Sequence, residues 1–442
     1  MASFSFGAGN ARKLASIPLY AAGRVATLVI PRSRDEWVFG CAVGVADGAL
    51  ELWKVAAERR VPAVWLVANA REEADAAARG IRTVRKSSLR GFWRTARARV
   101  VVVTHGFGDV NRYAVSGAFV AQLWHGIPLK RIGLDSSETV RPPARLPRAV
   151  AVLVRRGLAA MYRAAAQRID VLPAASHLVR ARLESAFGLP DGRVPVTGEP
   201  RVDVLSRGEP AVRRSAARAR MDEATGPLDP RSRLVLYAPT WRDGEPDPAI
   251  PDAARWRAIV DTLERHDAVL LVRSHPLGAG EYRPPFPTER VRSLSSDLVA
   301  DVTPLLPGLD VLVTDYSSLA FDASLVPLPT LFLAPDVEAY GHRRGFYGRF
   351  SDVAGDDWSA DWRGLVEQLD AVLGDDAARA ERVARAERLS SRVHAFRDGR
   401  NTERVYRAIE TGLARRGAPG SGGSRSAPPS RHPTPPPTKG TR

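Results

Sequence analysis

The chain has 442 residues, more than one ordinary core organises, which sets the expectation of two domains or more. Hydrophobic residues at 44% and charged residues at 26% are those of a globular chain, and the formal charge of +16 points to a polyanionic partner without identifying it. The single cysteine, Cys41, excludes an intramolecular disulfide and a multi-thiolate metal centre and favours a reducing compartment.

Residues 1–30 read as a basic N-terminal segment. Its mildly apolar run at 15–30 contains Pro18, Gly23 and Arg24 and falls short of the about 20 residues a membrane span needs. It also lacks the apolar stretch and cleavage pattern of an export signal, so neither export nor a transmembrane helix is expected. From residue 31 onward, short β-branched runs alternate with Ala-, Arg-, Glu- and Leu-rich helical stretches. The runs are 63–67 and 100–104, then 234–237, 268–272, 311–314 and 330–333. Continuous apolar runs of this kind are strands buried on both faces, the mark of parallel sheets covered by helices. The alternation pauses at 206–230, which reads as a linker between two doubly wound α/β domains at 31–205 and 231–395. From 417 to 442 almost no apolar side chain is large enough to repay ordering, so a disordered tail is expected.

The charge is unevenly spread. Four acid-free stretches, 1–34, 76–108, 139–169 and 411–442, hold more than the whole positive excess, and the remainder of the chain is net acidic. In the third, Val150, Leu153, Val154, Leu158, Met161, Tyr162, Ala165 and Ile169 recur at helical spacing, with Arg148, Arg155, Arg156 and Arg163 off that stripe. Such a helix either lies on an anionic membrane surface or packs on its own domain. The aromatics are not interleaved with the basic stretches as a base-stacking platform requires, which argues against nucleic acid.

Ligands of doubly wound sheets sit beyond the carboxyl ends of the strands. There the chain places a histidine between an aromatic and a glycine (Trp124, His125, Gly126), with Lys130 and Arg131 close behind. It also places a hydroxyl and a guanidinium (Thr240, Arg242), a guanidinium and an imidazole (Arg273, His275), and two hydroxyls at a helix start (Ser317, Ser318). Arginine suits phosphate, helix starts bind anions, and a positioned histidine can take a proton near neutral pH. Each feature alone has a plainer reading, as a helix cap or a locally satisfied side chain. A cleft between the domains would bring His125 and His275 together. No acidic cluster has metal-ligand spacing, so no cofactor is expected, and a loosely bound Mg²⁺ is left open.

As a set, the segments QLWHGIPLKRIG (122–133), VTGEPRVD (196–203), LYAPTWRD (236–243), LVRSHP (271–276), VTDYSSLAFDASLVPLPTLFLAPDVEAY (313–340), RGFY (344–347) and DGRNTERV (398–405) resemble the CDP-glycerol glycerophosphotransferase family, enzymes of teichoic-acid-like polymer synthesis. The resemblance spans about residues 31–412. It implies a fold similar to GT-B glycosyltransferases: α/β, two Rossmann-like domains around a cleft, and a helix at 396–416 returning to the first domain. It further implies transfer of glycerol phosphate from CDP-glycerol to a hydroxyl of a lipid-linked acceptor at the cytoplasmic membrane face, releasing CMP. On this resemblance His125 is the general base, and His275 with Arg273 holds the donor phosphates. Ser317, Ser318, Asp322, Thr240, Arg242, Pro200 and Arg201 line the same cleft. A CDP-ribitol transferase and a GT-B nucleotide-sugar transferase or epimerase are the alternatives. After RGFY the chain departs from the family pattern, running through Gly348, Arg349, Phe350 and Ser351 into DVAGDDW.

Overall fold

The computed structural model describes residues 17–142, 146–240, 242, 247–273 and 282–417. His275 and the tail from 418 onward lie outside the described residues. The first domain runs through α1 (Ile17–Val29), β1 (Trp37–Phe39), α2 (Asp47–Glu58), β2 (Ala63–Val67), α3 (Ala70–Ala78), β3 (Thr83–Arg85), α4 (Leu89–Arg97), β4 (Val100–Val103), β5 (Phe119–Gln122), α5 (Arg148–Ala166) and α6 (His177–Phe187). The second continues through α7 (Pro210–Thr225), β6 (Arg233–Ala238), α8 (Ala253–Arg265), β7 (Ala268–Val272), β8 (Val291–Ser293), β9 (Val311–Thr314), α9 (Leu319–Ala323), β10 (Thr330–Phe332), α10 (Val337–Arg344), α11 (Ser351–Ala354), α12 (Trp362–Gly374), α13 (Asp376–Val393) and α14 (Asn401–Gly417).

Each domain is built on one five-stranded parallel sheet, ordered β3-β2-β1-β4-β5 in the first and β10-β9-β6-β7-β8 in the second. The apolar runs behave as their composition requires: all four valines of β4 and all five residues of β7 are buried, with helices covering both faces. Helix starts are fixed by side-chain caps at Asn69, Ser88, Ser176, Asp252 and Asp361. Strand order reverses between β1 and β4 and again between β6 and β9, opening a crevice at the carboxyl ends of each pair.

The stretch at 206–230 differs from its reading as a linker. It forms α7, whose Arg214 and Arg218 pair with Asp310 at 2.8 and 2.9 Å and whose Met221 is fully buried in the second domain. Its arginines are structural, and only a narrow apolar stripe faces inward, which made the helix hard to see in composition. Helix α14 crosses back to the first domain, where Tyr406 stacks on Trp37 at 5.5 Å and Val405 and Ile409 are buried. The docking is set by Asp203, which accepts from the Asn401 and Thr402 backbone N–H groups at 2.9 and 2.8 Å and from the Thr402 hydroxyl at 2.6 Å. One carboxylate thereby joins the VTGEPRVD and DGRNTERV segments and satisfies the otherwise orphaned donors of the helix start.

Among the described residues of helix α5, the one buried outright is Ala166 at its C-terminal end, where Tyr162 also meets Phe187. Val150, Val152, Leu153 and Met161 stand exposed, Leu153 at 70% and Met161 at 62%. Among the described residues no helix is long and apolar enough to cross a membrane.

Candidate active site

The first domain lines the crevice with the loops after β1, β4 and β5. The turn into His125 is tight: Trp124 has φ +64°, strained for a bulky residue, and is held there by an edge contact with Phe187 at 5.1 Å. Gly126 has φ +126°, and a Cβ there would stand 3.1 Å from Ser318 Oγ and 3.4 Å from Arg201 Nη1. The glycine is therefore needed for close approach of the second domain, not only for access of a ligand.

His125 Nδ1 lies 3.4 Å from the Thr104 carbonyl oxygen. A carbonyl can only accept, so Nδ1 carries the proton and Nε2 keeps its lone pair. Burial, and then the neighbouring His105, hold the imidazole well below its ordinary pKa of 6.5, so it is neutral at physiological pH. His105 stacks on it at 4.3 Å, with rings 7° from parallel. His105 is itself depressed to about 4, mainly by burial. Sequence reasoning missed His105. The one available signal was its place directly after strand 100–104, with a glycine behind it, as in Trp124–His125–Gly126.

From the second domain, Ser317 and Ser318 sit at the end of β9, where Ser317 Oγ accepts from the Leu319 N–H at 3.2 Å. Ser318 makes no side-chain cap and faces Gly126. Thr240, at the end of β6, donates its backbone N–H to Asp315 at 2.9 Å, while its buried hydroxyl has no partner among the described residues. A buried hydroxyl without a partner costs about 1–3 kcal/mol unless a ligand or water meets it, so it is a candidate ligand contact.

Three expected phosphate cations are engaged within the protein. Arg242 pairs with Asp315 at 2.8 Å and Asp336 at 2.9 Å, beneath Tyr316 and Tyr340. Arg273 donates to the carbonyls of Leu294, Val299 and Ala300. Arg201 ties the two domains together: Nη1 donates to both oxygens of Asp322 at 2.8 and 2.7 Å, Nη2 to Thr303 at 2.9 Å, and Nε to Asp47 of the first domain at 3.2 Å. Burial opposes its charge, but Asp322 and Asp47 outweigh that and raise its pKa. Pro200 opens the short turn that carries Arg201.

Asp47 itself, at φ +62° where α2 begins, is pushed up to about 6 by burial against the pull of Arg201. Cys41, Asp47 and His105 each bring one ligand-type atom within 4.8 Å of the others, a grouping no linear spacing reveals. The guanidinium already on Asp47 opposes a second cation there. Glu199 is buried with neither carboxylate oxygen hydrogen-bonded among the described residues, and burial raises its pKa to about 8 against the pull of Arg201.

Because that value lies above the ordinary 4.5, the stability contributed by Glu199 is fully present below pH 4.5 and is lost as pH rises through about 8. The full difference is on the order of 3–5 kcal/mol. Thermal unfolding followed by circular dichroism between pH 6 and about 9 is expected to show this alkaline loss, and Glu199→Gln to flatten it. An equally steep loss in the variant would place the sensitivity elsewhere.

Two of the acids beyond RGFY are likewise committed: Asp352 to Arg349 and Arg392, and Asp357 to Arg382 and Arg385 of α13.

Residues 44–411 match the family model described as CDP-Glycerol:Poly(glycerophosphate) glycerophosphotransferase. The chain is 29% identical over 272 residues to a teichoic acid glycerol-phosphate transferase of Staphylococcus aureus, covering 60% of this chain and 64% of that protein. It is 27% identical over 287 residues to a teichoic acid poly(glycerol phosphate) polymerase of Bacillus subtilis, covering 62% and 35%. A teichoic acid ribitol-phosphate polymerase of Staphylococcus aureus is 28% identical over 229 residues, covering 51% and 42%. The chain thus spans between about a third and two thirds of these relatives' lengths. The wall teichoic acid polymerase TagF soaked with CDPG superposes with a TM-score of 0.70 at 19% identity, over 92% of this chain and 97% of that one, which establishes a shared fold.

Proposed function

The chain belongs to the CDP-glycerol:poly(glycerophosphate) glycerophosphotransferase family, and from that premise we propose that it moves a polyol phosphate from a CDP-polyol to a hydroxyl of a lipid-linked acceptor. Glycerol phosphate from CDP-glycerol is the first candidate, in keeping with the glycerol-phosphate relatives; the ribitol relative makes CDP-ribitol the second. The observation that carries the reading is a neutral His125, Nε2 lone pair available, 4.3 Å from His105 and across from Ser318 in a crevice between two parallel sheets.

In this reading the acceptor oxygen attacks the polyol-side phosphorus, the bond from that phosphorus to the CMP oxygen breaks, and CMP leaves with the electron pair. The acceptor proton passes to His125 Nε2. Ser317, Ser318 and the Thr240 hydroxyl donate to the donor phosphates. His275 holds the leaving CMP, while Arg201, Asp322, Arg242 and Arg273 shape the crevice through their internal pairs and hydrogen bonds. Protein donors rather than a resident metal meet the donor charge, a point checked by turnover surviving a chelator.

The acceptor is reached from the cytoplasmic membrane face. The exposed apolar residues of α5 and its arginines support peripheral binding to an anionic surface. The donor is tested by offering purified protein CDP-glycerol, CDP-ribitol and UDP-sugars, with CMP and UDP release monitored. CMP release with a CDP-polyol is the expected result, and UDP release alone would overturn the proposal.

The pH profile tests the base. With its pKa depressed, His125 stays unprotonated as pH falls through 6.5, so CMP release is expected to hold level there and to decline only at lower pH. An acid limb centred at or above 6.5 would remove His125 from proton acceptance.

A further inference from the structure

Asp109, in the loop after β4, is a buried carboxylate at 3% exposure. Its Oδ2 accepts from two consecutive backbone N–H groups, those of Thr104 at 2.9 Å and His105 at 2.8 Å. Burial raises the pKa of this carboxyl, and the same two N–H groups oppose the rise. The backbone of Asp109 is itself held in place. Its N–H donates to the Gly106 carbonyl at 3.0 Å, and a Cβ at Gly40, just past β1, would collide with its carbonyl.

The second of those N–H groups leads to the crevice. The His105 N–H and the Thr104 carbonyl belong to one peptide unit, which is planar and trans, so the two point to opposite sides of the chain. Holding the N–H on Asp109 therefore fixes where the carbonyl points. On that far side the Thr104 oxygen accepts from Gln122 Nε2 at 2.8 Å and lies 3.4 Å from His125 Nδ1, which occupies both of its lone pairs. A carboxylate on the N–H side also polarises the peptide and strengthens its carbonyl as an acceptor. Closing the turn at 107–109 is a plainer role for a buried aspartate, but that role does not require the same peptide to meet His125.

We propose that Asp109 is a positioning residue for His125, acting through the Thr104–His105 peptide to keep the imidazole proton on Nδ1 and leave Nε2 as the acceptor. That Nε2 takes the acceptor's proton rests on the function proposed above; the path from Asp109 to the ring does not.

The position of the ring proton is read by nitrogen NMR on the full chain with ¹⁵N-labelled histidine and no CDP-polyol, so failure of the donor reading leaves this result intact. The His125 signals are assigned by their absence from His125→Gln. In the parent protein a single form protonated on Nδ1 is expected. Asp109→Ala is expected to mix the two tautomers and to lower kcat for CMP release about tenfold, the scale of one hydrogen bond to a charged group, with the donor KM unchanged. Asp109→Asn keeps size and an acceptor oxygen but loses the charge, so a smaller change in the same direction is expected, about threefold in kcat. Mixed tautomers in either folded variant support the proposal. Unchanged His125 signals in both overturn it, or in Asp109→Asn alone should Asp109→Ala not fold. A fall in kcat with unchanged His125 signals likewise overturns it, since Asp109 would then be structural only.

Discussion

His125→Ala is expected to lower CMP release by about 10²-fold or more while the protein remains folded, the scale of a lost general base. Folding should survive because the ring is partly exposed in the crevice and its one hydrogen bond, to the Thr104 carbonyl, is long at 3.4 Å. The loss should fall on turnover, with donor binding little changed, since the groups proposed for the donor phosphates are Ser317, Ser318, Thr240 and His275. His105→Gln separates position from chemistry. It removes the stacked ring but leaves the Thr104 carbonyl in place, so a smaller loss is expected than for His125→Ala. Near-normal turnover in the alanine variant, measured with saturating donor and acceptor, would end the base assignment.

Arg201→Met is expected to cost about 3–5 kcal/mol of stability, the penalty for stranding buried charge after one partner of an ion pair is removed. Here Asp322 and Asp47 would share one low-dielectric region with no cation between them. The two domains would also lose the side chain that joins α2 to α9 and to Thr303, and with it the close seating of Gly126 on Ser318. Chemical denaturation with a domain-specific fluorescence probe reads the effect, because a two-domain chain need not unfold in one step. Arg201→Lys should recover only part of the loss, since one ammonium cannot match the paired oxygens of Asp322 while reaching Asp47. Adding Asp322→Leu to Arg201→Met should return some stability. A loss below about 1 kcal/mol in the single variant would mean that the cluster is already neutral through protonation.

Much of this architecture could be read along the chain. A strand buried on both faces needs continuous apolar residues, so Val100–Val103 and Ala268–Val272 declared themselves, and parallel sheets were the consequence. The polar residues directly after such strands, His125, Thr240, Arg273, Ser317 and Ser318, were identifiable because in this class of fold strand ends line the crevice. The helix at 210–225 was not identifiable in the same way, because arginines that serve Asp310 look, in composition, like a solvated linker.

Sequence alone therefore determined the fold class, the strand ends and the candidate base. Those properties depend on local periodicity and on what a buried strand must contain. The tertiary structure alone decided which cations are spent and which groups share a site. Arg201 meets Asp47 across 154 positions and Asp322 across 121, and His105 stacks on a histidine in a different strand–loop unit. No period in the chain encodes such contacts. They arise when two sheets, each with its own switch point, are closed against one another.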